Sequence, residues 1–502
     1  MSSGLEAAES SRPDSSKIPG LSKLGYGFGN IAYSLPYQAS ATFFMFFATE
    51  IVGIPPTLAG TLAAVSLAWD AVCDPLVGYL SDNTESRRLG RRHPYLLAGG
   101  VLTAVLTCLL WTVSSLVSFG YRVALVFLFL VGLRTALAIF VIPYLALGGE
   151  LSRDYDERSA IQGVRAAFYL TGMILAIAGA TLVFFRATPA FPRGQLNPAA
   201  YPRMALAFAA VVLVSTAVCV LSTWRFIPLL PGRTARMKGR PLSAKHLFGD
   251  FLDALRDREL LALLLMIVVI EAGFQFGIAI GIHVNTYTYG LTGPQIGLLT
   301  LAVLGSSVLS QPFWVWFAKR FEKRVALIAG LLIGFAGFVG APWAHVWWKL
   351  FPLESPGLLR TLAPFMVLAG IGNGAFMSIP NSMIADAADV EELATGKRDE
   401  GLYFGLYIFA YKVGVMVSLL LSGFALSRIG FRPGAPGQTE ATRFLLAMVP
   451  TYLLLASAPF ALFFISKYGI TRQRWRQVKD QLQERRAYAR PAGDGAIRGP
   501  GS

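Results

Sequence analysis

Asp70 and Asp74 stand four residues apart inside the apolar stretch from Leu58 to Leu80, which is long enough to cross a bilayer. On a helix both carboxylates share one face. A carboxylate at membrane depth costs a few kcal/mol or more, so it faces a water-filled or ion-binding cavity rather than lipid. The pair predicts a cation site. Arg134, Arg165 and Lys412 also fall within apolar stretches and carry the same cost unless an acid partners them. Asp70 and Asp74 are the natural partners of Arg165 and Lys412. The sequence thus predicts ion pairs that a bound cation displaces, leaving a neutralised cavity free to reorient. A fixed pair that only orders the helices is the plainer alternative.

The elements that must hold these groups are apolar helices. Of 502 residues 54% are hydrophobic and 15% charged, which excludes an ordinary water-soluble globule of this length. Apolar runs lie at 24–48, 57–80, 94–114, 122–148, 160–185, 203–224, 259–287, 295–318, 325–344, 361–385, 401–427 and 443–466. They predict an all-α membrane protein with twelve transmembrane helices. Many Gly and Pro residues interrupt the runs, as where helices pack closely or break around a pore. Met1 to Lys23 is polar and reads as no cleavable signal peptide. Cys73, Cys108 and Cys219 lack paired spacing, which speaks against a disulfide framework or a zinc site.

Lys and Arg number 32 on one set of alternate termini and loops and 9 on the other. The first set is expected to be cytoplasmic, with both termini, so the net charge of +15 marks orientation rather than a nucleic-acid partner. The polar segment 225–258 divides the chain into bundles at 24–224 and 259–467, flanked by tails at 1–23 and 468–502. Asp70, Asp74-Pro75 and Asp82 align with Ser307, Gln311-Pro312 and Lys319, which reads as a duplication. The acid pair exists only in the first half. One coupling site is therefore expected there, facing a cavity between two pseudo-symmetric six-helix bundles. Leu247, Phe248, Phe251, Leu252 and Leu255 predict an amphipathic helix in the central loop, and Thr471 to Arg486 a basic helix near anionic headgroups or a solvated tail.

Gly78-Tyr-Leu-Ser-Asp82 followed by Arg87-Arg88-Leu-Gly90-Arg91-Arg92-His-Pro94 resembles the signature loop of the major facilitator superfamily. Further motifs are Tyr26-Gly-Phe-Gly29, Trp69-Asp-Ala-Val-Cys-Asp-Pro75, Ile142-Pro-Tyr-Leu-Ala-Leu147 with Glu150, and Asp399-Glu-Gly-Leu-Tyr-Phe404 ahead of Lys412. Together they resemble one branch, the glycoside-pentoside-hexuronide:cation symporters, from about Leu21 to Gly469. The resemblance implies the major facilitator fold, a bacterial inner-membrane location and a cation site at Asp70 and Asp74. In the family's melibiose permease an Asn precedes the second acid and helix four carries Thr and Asp ligands; here these positions hold Cys73, Ala138 and Val141. Sodium wants a nearly complete oxygen shell, whereas a proton needs only a carboxylate that holds it, so a proton is favoured over sodium. The galactoside-binding acids of the permease align with Ser34 and Val141, and its helix-four Trp with Leu145, which argues against a galactoside.

Tyr33, Ser34, Tyr37 and Gln38 offer hydrogen bonds and stacking faces for a sugar instead, although aromatic residues in a span also serve packing. Glu271 and Gln275, with His283, Asn285 and Tyr287 beyond, are read as the substrate wall of the second half, although helix-end snorkelling explains His283 through Tyr287 equally well, and Asn373 and Asn381 are further candidates. Arg165 and Lys412 complete the expected substrate-site set. Glu150 follows Pro143 by seven residues and Asp386 follows Pro380 by six. With Asp82, Arg91, Arg92, Lys319 and Arg320 they are read as a gate that clasps the halves on the cytoplasmic side in one state and parts in another.

The expected function is a secondary symporter carrying a sugar or glycoside with a proton or sodium ion, with no cofactor and no metal beyond a possible sodium at Asp70 and Asp74. The chain has no Gly-rich phosphate loop ending in Lys-Ser or Lys-Thr, so an ion gradient supplies the energy. An enzyme is not expected, since four His in no metal-binding spacing offer neither a metal cluster nor a base. The alternative substrate is a lysolipid, because animal lysolipid symporters resemble the same branch. Lipid is the surrounding partner, and a monomer is expected.

Overall fold

A computed structural model describes residues 18–488 apart from 85, 87, 153, 230–255, 354, 356, 397–399 and 436. The amphipathic helix expected at 247–255 and the first seventeen residues lie outside the described residues. The described chain is helical, without strands. The first span runs Gly20–Phe28, Asn30–Phe46 and a π-helical turn Phe47–Ile51; the second is Pro56–Ala68 and Asp70–Asn83, interrupted at Trp69. The third is His93–Trp111, the fourth Phe119–Glu150, the fifth Tyr155–Ile174 extended by Leu175–Phe184, and the sixth Ala200–Thr223. The second half repeats this with Arg258–His283, Gly293–Arg320, Lys323–Pro342, Leu358–Thr395, Glu400–Arg428 and Glu440–Lys467 as spans seven to twelve. Eleven of these are long and apolar enough to cross a membrane. The first span is the more polar twelfth, because Asn30, Tyr33, Ser34, Tyr37 and Gln38 dilute its apolar residues.

The duplication is visible in how helices pair. Span one packs on five and six, two on four, three on four and six; correspondingly seven packs on eleven and twelve, eight on ten, nine on ten and twelve. Pro75 and Pro312 sit inside spans two and eight, and Pro143 and Pro380 inside four and ten, so each kink has its counterpart. In a lipid solvent helices associate through close packing rather than hydrophobic expulsion, and small residues allow it. A Cβ on Gly337 would lie 2.3 Å from the Ala369 backbone nitrogen, and one on Gly99 2.6 Å from that of Phe140.

The halves touch mainly through span two on eleven, five on eight and one on seven. The polar contacts between them gather at the end with few Lys and Arg in its loops. There Tyr287 Oη donates to Glu50 Oε2 at 2.6 Å, Thr49 Oγ1 meets His283 Nε2 at 2.9 Å, and Gln195 Nε2 donates to Thr286 Oγ1 at 3.0 Å. Toward the basic end, by contrast, spans two and eight expose Tyr79, Leu80, Phe313 and Trp316. The tail helix Arg472–Tyr488 forms as expected but rests on protein: Arg474 pairs with Glu259 and Trp475 Nε1 donates to Asp389 Oδ2 at 3.2 Å.

Span two meets span eleven at Gly60 and Gly423, where a Cβ on Gly60 would fall 2.5 Å from the Leu419 carbonyl oxygen. Gly60→Leu is expected to wedge the sparsely charged end open. Thiol labelling from that side, of a cysteine replacing Ser66 in an otherwise cysteine-free protein, should rise several-fold; unchanged labelling would show that this contact does not close that end.

Candidate functional site

Trp69 interrupts span two one residue before Asp70, and Pro75 follows Asp74 directly, so the pair sits on a locally irregular helix. Proline cannot donate to the carbonyl four residues back, which frees the Ala71 oxygen beside both acids. Span eleven reaches them from the other half. Lys412 Nζ donates to Asp74 Oδ2 at 2.7 Å and lies 3.5 Å from Asp70 Oδ2. Asp70 is deeply buried, whereas the Asp74 and Lys412 side chains are 31% and 27% exposed and so reach the space between the halves. Around the pair Cys73 packs with Val77 and Ala138 and brings no oxygen. The nearby Thr135 hydroxyl already donates to the Val131 carbonyl and accepts from Trp69 Nε1.

Arg165, the second expected partner, is elsewhere. It lies near Tyr26 and Tyr144, with its backbone carbonyl accepting from Asn30 Nδ2 at 2.9 Å. The guanidinium that acts on Asp70 is Arg134, from span four, which lies 5.1 Å over the Tyr37 ring. The buried cluster therefore holds two acids and two bases, Asp70 and Asp74 against Arg134 and Lys412.

Beside this cluster a cavity of about 470 Å³ opens between the halves. Its wall contains the expected Tyr37, Gln38, Glu271, Gln275, Asn373 and Asn381, together with Arg134, Tyr169 and Tyr411. Gln275 Nε2 donates both to Glu271 Oε2 at 3.0 Å and to Tyr411 Oη at 3.1 Å. Tyr411 lies beside Tyr37, so polar groups run without a break from Glu271 through Gln275, Tyr411 and Tyr37 to Arg134. Asn373 Nδ2 donates to Ser307 Oγ at 3.1 Å, which places Ser307 of span eight against span ten as Asp70 stands against span four. Phe274, Phe338, Phe376 and Met45 make much of the remaining wall apolar.

Tyr33 stacks on Tyr37 at 5.4 Å and supports that ring from behind the cavity wall. Ser34 is fully buried against Gly172 of span five and does not line the cavity. His283 and Tyr287 belong to the contacts at the sparsely charged end, and only Asn285 of that group reaches the cavity. Tyr169, Tyr411 and Arg134 are the site residues that sequence reading did not place there. A signal existed for Arg134, an unexplained cation at membrane depth.

The expected gate residues form pairs within each half. Arg92 bonds Asp82 at 2.6 Å and Glu150 at 2.7 Å, while Arg91 bonds Glu150 at 2.6 Å. In the second half Lys323 bonds Asp386 at 2.5 Å. The two sets correspond: a base at the start of the third helix meets an acid beyond the kinking proline of the fourth. Tyr26 and Tyr144 explain two further motifs, because their rings stack at 4.6 Å and each hydroxyl donates to the other's carbonyl oxygen.

A family model described as MFS/sugar transport protein matches residues 25–472. The chain belongs to the major facilitator superfamily. Within it the chain falls among proteins named as symporters, of the glycoside-pentoside-hexuronide type. An uncharacterized symporter of Synechocystis is 28% identical, with 93% of this chain and 97% of that one covered. A sodium-dependent lysophosphatidylcholine symporter of Danio rerio is 25% identical, covering 92% and 88%. Among solved structures a bacterial homologue of the lysosomal transporter Spinster superposes with a TM-score of 0.64 at 12% identity, covering 90% and 98%, and supports the fold. The protein is thus a multi-pass membrane transporter and not an enzyme.

Removing Lys412 leaves two acids facing one remaining base. Lys412→Ala should lower stability by about 1–3 kcal/mol, below the ~3–5 kcal/mol of a fully buried pair because both side chains of the bridge are partly exposed. Adding Asp74→Asn should restore most of it. Thermal unfolding in detergent measures both; a double variant no more stable than Lys412→Ala would show that the bridge carries no uncompensated charge.

Proposed function

We propose that the protein is a secondary symporter that moves a sugar or glycoside with a cation, a proton in preference to sodium, by alternating access. The observation that carries this reading is the bridge from Lys412 in the second half to Asp74 and Asp70 in the first. Two rigid bundles that exchange openings need an element at their pivot whose charge depends on the coupling ion. Protonating Asp74 removes the negative charge that makes its contact with Lys412 an ion pair, and so weakens that link. The halves then lose a link at mid-depth, while the cavity polar groups beside it stay continuous with the cluster. Few side-chain oxygens surround the pair, since Cys73 and Ala138 offer none and Thr135 is already engaged, and the freed Ala71 carbonyl alone does not complete a sodium shell, which supports a proton over a sodium ion.

The basic loops face the cytoplasm on this reading, with both termini inside. Contacts concentrated at the opposite end then make the described arrangement inward-open. The paired sets Arg91, Arg92 with Asp82 and Glu150, and Lys323 with Asp386, would meet across the halves when the molecule faces outward. Tyr37, Gln38, Gln275, Tyr411 and Asn373 supply neutral donors and acceptors and a stacking face suited to hydroxyl-rich rings.

A second substrate, a lysolipid, is favoured by the apolar share of the wall at Phe274, Phe338, Phe376 and Met45, and by the relative named for lysophosphatidylcholine. Vesicles loaded with wild type and with Asp74→Asn separate the readings. A sugar-evoked proton or sodium flux that the variant abolishes supports sugar symport. Flux evoked by lysolipid alone, and lost in the variant, assigns the lipid. Flux that survives Asp74→Asn contradicts the coupling site.

A further inference from the structure

Arg134 is left over by the symport reading, and it points to the charge of the cargo. The residue is 9% exposed, it lines the cavity, and among the described residues its Nε and Nη1 atoms have no hydrogen-bond partner. A guanidinium keeps its charge under any physiological condition, so this one cannot escape its burial by losing a proton. What holds it is the Tyr37 ring face on one side and, through space, the carboxylate of Asp70. Asp70 is shared with Lys412, whose Nζ stands 3.5 Å from it. One carboxylate therefore serves two cations, and when the site takes up a proton or cation it serves them less. The loaded cluster then carries an excess of positive charge beside the cavity.

The opposite wall is differently charged. Glu271, from span seven, is buried and, among the described residues, hydrogen-bonded only to the neutral Gln275. Its carboxyl oxygens can accept from hydroxyl donors. A polar strip thus crosses the otherwise apolar cavity, with a guanidinium on the first-half wall and a carboxyl group on the second-half wall. Tyr37, Tyr411 and Gln275 lie between them.

We propose that Arg134 recognises a compact oxyanion, a carboxylate or a phosphate, on the transported molecule, while the remainder of that molecule directs its hydroxyl groups toward Glu271 and Gln275. The proposal rests on the symport reading and narrows it: the cargo is an organic anion rather than a neutral glycoside. A planar guanidinium takes a carboxylate or phosphate through two parallel hydrogen bonds, a geometry that a lysine ammonium does not reproduce. The anion restores the neutrality that uptake of the coupling cation disturbs, so cargo and cation stabilise each other in the site. Neutralising Asp70 strips Arg134 of its counter-charge and makes it the stronger anion receptor.

Competition against reconstituted full-length protein, using glucose, glucuronate, a glucose phosphate and lysophosphatidylcholine, tests this. With wild type an oxyanion should bind about a hundredfold or more tighter than glucose. Preference for glucuronate assigns a carboxylate, and preference for the sugar phosphate or the lysolipid assigns a phosphate. Arg134→Gln should bring the ratio near unity, and Arg134→Lys should keep part of it, which a purely structural arginine would not do. Asp70→Asn should bind the oxyanion without added coupling cation. Glucose driving cation flux as well as any anion, with Arg134→Gln indifferent, would overturn the proposal and leave symport standing. Failure of every oxyanion to bind wild type would also overturn it, whereas a cation-flux failure with all four compounds would count against symport itself.

Discussion

The structure depends on two carboxylates placed where lipid surrounds the protein. Their charge forces every neighbouring choice: a helix broken at Trp69 and kinked at Pro75, and a cavity wide enough for water. It also calls for cations brought from span four and from the other half. A buried ion pair is poor at adding stability, because desolvation consumes most of the Coulomb gain. Its use is conditional. The Lys412–Asp74 bridge is an ion pair only while that acid is ionised, so on the proposed reading the contact that joins the bundles weakens when a proton binds there.

Around this conditional contact the scaffold is symmetric. The pairing of helices repeats between halves, as do the prolines of spans two, four, eight and ten and the base-to-acid contacts at Arg91, Arg92 and Lys323. Symmetry lets either end close with similar contacts, which alternating access requires. Chemistry breaks the symmetry: Ser307 and Gln311 occupy the positions of Asp70 and Asp74, so the second half can wall the cavity without binding a second ion. The sparsely charged end is closed by neutral or singly charged groups, Thr49, Glu50, Gln195, His283 and Tyr287.

Much of this was legible from residue order. Spans read from apolar runs differ from the observed helices by a few residues, except that the tenth, read as 361–385, continues to Thr395, and the registry of Pro75 with Pro312 predicted the duplication. Lys412 was correctly matched to the acids, because a lone cation at that depth has few other partners. Helix rotation was not legible. Arg165 turns toward Tyr26 and Tyr144, and Ser34 turns into Gly172, because close packing of spans one and five fixes their faces. That packing depends on shape across the interface, which spacing along one helix does not encode. Arg134 was visible as an anomaly, but its place over Tyr37 needed the fold. Likewise His283 and Tyr287 read equally well as cavity wall or as snorkelling residues of a helix end, and the fold aims both at span one.

The central claim is that the Lys412 bridge couples ion occupancy to the relation between the bundles. Pulsed spin-label distances between the basic ends of spans two and eleven, at Tyr79 and Ile408, test it most directly, since both side chains are exposed. The account predicts that an imposed change of coupling ion shifts the distance distribution in wild type and leaves it unmoved in Lys412→Ala. An ion-dependent shift of equal size in the variant would contradict it.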